Sequence, residues 1–259
     1  MDKQRIIHDL RAYVASYADS QRTATRWGTP LVGCADAMDP LFSELKRVAT
    51  HDHALPADLL DGARSAIAFF IPFHRDVAIS NIEGRDASRA WAVAYVETNT
   101  LIGDVCAHVK DLIESDGRER VATTPATHNF DRERLVSTWS HRHVAYIAGL
   151  GKFGLNNMLI TPSGVCGRFG SFVTTCAFEP DARTEGEACL YRHDGSCARC
   201  AARCVGDALS VDRFDRHACH RTLTWHEATD GPAVEADVCG KCLVDVPCSF
   251  TDPVRVSRT

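Results

Sequence analysis

The sequence predicts a mixed α/β (α+β) chain in two parts: an α/β unit over residues 1–180 and a small cysteine-rich module over 181–259. Three observations carry this. Stretches of helical period alternate with short apolar runs in the first part. Four of the twelve cysteines (Cys34, Cys106, Cys166 and Cys176) lie before residue 180, and the other eight crowd residues 189–248. Between the two, residues 178–188 (FEPDARTEGEA) are polar and acidic and carry no hydrophobic period, which marks a boundary.

The elements come in this order. Ile6, Ile7, Leu10, Tyr13, Val14 and Tyr17 recur at helical spacing. Residues 31–37 (LVGCADA) form a short strand, and Pro40 opens a helix through Leu45 and Val48, a position that proline tolerates. Residues 63–73 (ARSAIAFFIPF) form a buried strand. Residues 88–114 give the longest helix, with Trp91, Tyr95, Ile102, Val105, Val109 and Leu112 near one face. Residues 120–130 are extended, and 140–154 (SHRHVAYIAGLGKFG) form a helix that breaks into a glycine loop. Residues 157–175 form two strands joined by a Pro-Ser-Gly turn.

Composition bounds the function. The chain has 259 residues, with 45% hydrophobic and 24% charged, which is ordinary for a globular protein. At this length it needs no covalent staples to fold, so twelve cysteines call for a chemical reason. The formal charge of -5 argues against a polyanionic partner. The longest apolar run, AIAFFIPF at 66–73, is far short of a membrane span of ~20 residues, so no membrane role is expected. The N-terminus MDKQRIIHDL has no apolar signal region, so a reducing cytoplasmic setting is expected. Reduced cysteines in such numbers point to metal or redox chemistry.

The eight late cysteines fall into two runs. One is Cys189, then Cys197-x2-Cys200-x3-Cys204; the other is Cys219, then Cys239-x2-Cys242-x5-Cys248. Eight thiolates are the number that two [4Fe–4S] clusters require. In two-cluster ferredoxins the last cysteine of each run crosses to the other cluster. The pattern therefore assigns Cys189, Cys197, Cys200 and Cys248 to one cluster, and Cys219, Cys239, Cys242 and Cys204 to the other. Thiolates suit the soft iron–sulfide core. Asp194 stands where the usual run has its first cysteine, so Cys189 or Asp194 supplies that ligand. Two all-thiolate zinc sites would also use eight cysteines, and a zinc-stabilised binding module stays open at this point.

Residues 148–175 (AGLGKFGLNNMLITPSGVCGRFGSFVTT), followed by 195–209 (GSCARCAARCVGDAL), resemble epoxyqueuosine reductase and its relatives, among them the reductive dehalogenases. The resemblance covers roughly residues 60–250. It implies a nitroreductase-like and B12-trafficking-like α/β domain followed by a two-cluster bacterial ferredoxin-like module. It also implies that electrons from a ferredoxin or flavodoxin pass through the clusters to cobalamin, with FMN as the alternative, to reduce a small-molecule substrate. Ala148, Gly149, Leu150, Gly151 and Gly154 match the family's AGLGxxG turn, and Phe169 and Gly170 a later element; in the family these line the corrinoid cleft. The family's proton-donating aspartate sits in a Tyr-x4-Asp pattern on the long helix. Here Tyr95 is followed at that spacing by Thr100, which leaves Glu97 as the acid in that stretch. The helical-repeat tail through which longer members hold tRNA is not seen, so tRNA is not an expected partner. A non-catalytic electron carrier, or a reductase that activates a partner's corrinoid, is the alternative reading.

The remaining candidates have plainer readings. His141 and His143 precede the glycine loop, where one could meet a cofactor or metal, although histidines so placed are more often satisfied core or surface residues. Cys34, Cys106, Cys166 and Cys176 read as small buried hydrophobes, with Cys166 the one to examine for reactivity.

Overall fold

The computed structural model describes residues 2–115, 117–125, 128–229 and 236–257. Helix α1 (Lys3–Ser20) starts at Asp2, whose carboxylate accepts the Gln4 N–H, and buries Ile6, Leu10, Val14 and Tyr17 as their spacing predicts. Strand β1 (Leu31–Asp36) and helix α2 (Leu41–Val48, with Pro40 at its N-cap) come next. After the short helix α3 (Pro56–Leu59) comes strand β2 (Ser65–Pro72). A second short helix, α4 (Arg75–Ser80), leads to α5 (Arg89–Glu114), whose N-cap Ser88 hydroxyl accepts the Trp91 N–H at 3.1 Å.

Strands β3 (Val121–Thr123) and β4 (His128–Asp131) occupy the stretch expected to be extended, of which residues 126–127 lie outside the described residues, and β5 (Val136–Trp139) follows. Helix α6 (His141–Ile147) ends in the glycine turn, and β6 (Lys152–Phe153), β7 (Leu159–Ile160) and β8 (Gly167–Thr174) complete the first part. The cysteine-rich part holds α7 (Leu190–Asp194), α8 (Arg199–Ala202), α9 (Arg216–Thr229), a 3₁₀ turn at Lys241–Leu243 and α10 (Pro253–Val256).

The main sheet runs β1-β2-β8-β3, with every pair antiparallel. All eight residues of β2 are buried because helices cover both faces. Side chains alternate across a strand. Ile67, Phe69 and Ile71 therefore join Phe172 in a core with α1 and α5, while Ala66, Ala68 and Phe70 join Phe169 and Val173 in a second core with α2 and α6. This is a three-layer sandwich of helix, sheet and helix.

One expectation is revised. Residues 157–175 are not a hairpin. Thr161 and Gly164 do exchange backbone hydrogen bonds around Pro162-Ser163. However, β7 pairs with β6, whereas β8 pairs with β2 and β3. Sequence proximity suggested a local partner, and the long apolar β2 outcompetes it. The stretch 178–188 runs along the edge of β1: the Asp181 N–H donates to the Cys34 carbonyl, its carboxylate accepts the Cys34 N–H, and Lys3 pairs with the same carboxylate.

A third core spans residues on both sides of position 180, including Phe73, Trp91, Ala92, Val165, Ala188, Val238 and Val244. The thiols of Cys34, Cys106, Cys166 and Cys176 are buried, as expected of small hydrophobes.

Phe172 is fully buried where α5 meets the sheet. Phe172→Ala is expected to cost about 3–5 kcal/mol, which chemical denaturation of the purified variant would measure.

Candidate metal centres and the adjoining polar site

The C-terminal cysteines are placed by short elements pinned to the α/β unit. Cys189 is the N-cap of α7, Cys200 lies in α8, Cys219 in α9 and Cys242 in the 3₁₀ turn. Gly240 takes φ +69°, which lets the chain reverse sharply between Cys239 and Cys242, and a Cβ there would collide with the Trp91 ring. The Lys241 side chain is buried. Its ammonium donates to the carbonyls of Asn81 (2.9 Å) and Glu83 (2.7 Å), while the Asn81 amide donates to the Cys239 carbonyl at 2.8 Å. Arg203 donates to the carbonyls of Ile82 and Lys241. Asn156 donates to the Cys242 carbonyl, and the Val165 N–H to that of Cys248. Backbone geometry on both sides of each cysteine loop is therefore set by the first part of the chain.

Four of the eight late cysteines line one cavity; the other four interact with one another electrostatically, and one of them, Cys242, also with Cys200 of the first four. Cys189, Cys197, Cys200 and Cys248 line one cavity, closed by Gly154, Leu155, Ile160, Val246 and Pro247. Asp194 is not among its lining residues; its carboxylate is exposed and accepts the Ser196 N–H at 2.9 Å. In the second group, Cys204, Cys219, Cys239 and Cys242 feel one another electrostatically.

Burial pushes the Cys200 and Cys219 thiols up to about 11 and the Cys248 thiol to about 12, and carries Cys242 well above its ordinary value; neighbouring sulfurs add to each shift. Four thiolates crowded in a low-dielectric setting need a cationic core to persist. Some help comes from the backbone, since the Ala208 N–H donates to Cys204 Sγ at 3.3 Å. Among the described residues, no three His, Cys, Asp or Glu side chains are placed to hold a single metal ion. The first group surrounds a cavity.

The glycine turn has a different occupation from the one expected. Gly149, at φ +78°, ends α6: the Leu150 N–H reaches back to the Ala145 carbonyl, the bond of a Schellman cap. A Cβ on Gly149 would meet the Ala182 carbonyl, one on Gly151 the Ile160 carbonyl, one on Gly154 the Asn156 and Ile160 side chains, and one on Gly170 the Phe69 ring. Ala148, Leu150 and Phe169 are buried in the core beneath α6. The chain's own atoms therefore occupy the side of each of these glycines on which a Cβ would project.

Glu97 also has another task. Its two carboxylate oxygens accept the N–H groups of Ala24 (3.0 Å) and Thr25 (2.8 Å). Two residues along a helix is a rotation of about 200°, so Glu97 projects away from the side that carries Tyr95. This geometry gives it a loop-capping role. Burial raises the Cys166 thiol, which donates to the Leu243 carbonyl, so it is no reactive thiol. His141 is satisfied by Ser171 Oγ (2.7 Å) and the Pro125 carbonyl (2.9 Å), and His143 by Ser140 Oγ (2.7 Å).

Sequence reasoning did not single out the polar group beside the second cysteine set. The Arg168 guanidinium, on β8, lies 4.2 Å from the centroid of the Tyr95 ring. The Tyr95 hydroxyl interacts with Asn99 and Asp237. Arg142 feels Arg168, Cys219 and Arg216. These residues come from β8, α5, α6 and α9, so spacing along the chain carried no signal of their meeting.

No protein-family model matches the chain, and no curated protein matches it. Solved structures do. Epoxyqueuosine reductase from Streptococcus thermophilus superposes with a TM-score of 0.57 at 14% identity, over 93% of this chain and 65% of that one. An epoxyqueuosine reductase solved with an epoxyqueuosine-modified tRNA-Tyr stem loop gives 0.54 at 20% identity, over 91% and 64%. The catabolic reductive dehalogenase NpRdhA gives 0.56 at 18% identity, over 88% of this chain and 31% of that one. This chain therefore has the mixed α/β fold that epoxyqueuosine reductases and reductive dehalogenases share, and it spans less than two thirds of the length of those reductases. Among the described residues no helix is long and apolar enough to cross a membrane.

Burial, then the nearby Arg142 and His53, lowers the pKa of His143 to about 4. The folded state thus keeps this ring neutral, while the unfolded chain protonates it near 6.5. Stability is expected to fall by about 2–3 kcal/mol as pH drops from 6.5 towards 4. The loss should be smaller in His143→Gln, as measured by denaturant titration across that range.

Proposed function

We propose that this chain is an iron–sulfur oxidoreductase of the kind its fold suggests, reducing a small-molecule substrate with electrons from a ferredoxin- or flavodoxin-type donor. The observation that carries the reading is the sorting of eight cysteines into two groups of four, each completed by a cysteine from the other run. Cys189, Cys197, Cys200 and Cys248 would hold one four-iron four-sulfide core, and Cys204, Cys219, Cys239 and Cys242 the other. Bound cores of this type supply one-electron transfer. Lys241, Asn81 and Arg203 hold the Cys239–Cys242 loop against the α/β unit. Leu155, Ile160 and Val246 give the first site an apolar wall that excludes water; such a shell and the N–H···S bonds are the protein's means of setting a cluster's potential. The residues 1–180 would form the unit that the module serves.

One observation favours a second reading, an electron carrier or a reductase acting on a partner protein's corrinoid. The glycine turn that should cradle an organic cofactor is packed with this chain's own atoms. Under that reading the clusters are present and no organic chromophore accompanies them.

Anaerobically purified protein is expected to carry about eight iron and about eight acid-labile sulfide per chain. Cys200→Ser and Cys242→Ser should each lose about half of both, and the double variant nearly all. Two zinc ions with no sulfide would instead establish zinc sites and end the proposal.

A further inference from the structure

The polar group beside the second cysteine set has a composition that its own members do not balance. Arg168 Nε is sealed from solvent and has no hydrogen-bond partner, and the same is true of Oδ1 of Asn99. Asn99 lies one helical turn along α5 from Tyr95, whose ring carries the Arg168 guanidinium at 4.2 Å. Arg142 and Arg216 face the same region, and Asp237, hydrogen-bonded to the Tyr95 hydroxyl, is the carboxylate that interacts with Arg168. Arg142 spends one of its nitrogens on the Asn157 carbonyl and the Met158 sulfur. Guanidinium groups gathered in a low-dielectric place repel one another unless an anion joins them. A guanidinium fixed over an aromatic ring is pre-organised to present its fork to an oxyanion.

We propose that Arg168, Asn99 and Tyr95 form a binding site for a small oxyanion, a carboxylate or a phosphate, whose ligand also carries an N–H or O–H group. The anion accepts from Arg168 Nε, and the ligand's donor meets Asn99 Oδ1. Arg142 adds positive charge from the far side. Because Arg142 also feels Cys219, the site adjoins the second cysteine set. Resting on the oxidoreductase reading, this assigns the substrate to the class of small organic acids or phosphate esters that enter beside that cluster.

The test is isothermal titration calorimetry on anaerobically purified protein, with acetate, inorganic phosphate and the uncharged isostere acetamide. Acetate or phosphate should bind saturably and acetamide should not. Acetate alone identifies a carboxylate ligand, and phosphate alone a phosphate ester. Arg168→Gln should weaken the anion at least tenfold. Asn99→Asp, which keeps the shape and adds a negative charge, should do the same and decides the matter if the arginine variant does not fold. The proposal is overturned if neither anion binds, if acetamide binds as well as acetate, or if either variant binds as the parent does. A shift in the midpoint potential of Arg168→Gln with unchanged anion binding would also overturn it, by showing that the guanidinium serves the cluster. Iron and sulfide are assayed on the same samples. Anion binding to a protein without iron would sink the iron–sulfur reading alone, and a loaded protein without anion binding would sink this inference alone.

Discussion

Eight cysteines gathered into two largely half-buried groups are the constraint from which the rest of the molecule can be derived. Thiolates so crowded repel one another, and the protein interior disfavours each charge separately. Burial and mutual repulsion hold several of these thiols protonated in the absence of a core. Under the proposed reading, a cationic inorganic core would reverse both effects at once and couple metal loading to the packing around the cysteines.

The α/β unit supplies the other half of the constraint. The buried antiparallel sheet with helices on both faces is a rigid support, and its connecting segments reach the cysteine loops at fixed points. The turn at residues 81–83 receives the Lys241 ammonium, the Trp91 ring fills the space that Gly240 leaves, and the turn at Gly164 packs against the Ser249 backbone. The shared apolar core that includes Val165, Ala188 and Val244 continues this contact below the surface. Positions of the sulfurs therefore depend on residues more than a hundred positions away along the chain.

Much of the framework was legible in the sequence because it rests on periodicity. The amphipathic α1 and α5 and the almost wholly apolar β2 arise from local pattern. Features that depend on competition between distant partners were not legible. The 157–175 stretch looked like a hairpin, yet β8 lies beside β2. The AGLG turn looked like a ligand cradle, yet Gly149 and Gly151 are glycines because the Ala182 and Ile160 carbonyls approach them. Glu97 looked like an available acid, yet it caps a loop that sequence could not place against it. The Tyr95–Arg168 stack joins a helix and a strand more than seventy residues apart, and no spacing rule anticipates it. Cys189 was already preferred to Asp194 from the sequence, and it is Cys189 that lines the cavity.

Native mass spectrometry of the anaerobically isolated chain tests the central claim most directly. The account predicts a dominant species heavier than the polypeptide by two four-iron four-sulfide cores, with gentle activation giving a species one core lighter. A dominant mass equal to the bare polypeptide, or to the polypeptide with two zinc ions, would contradict it.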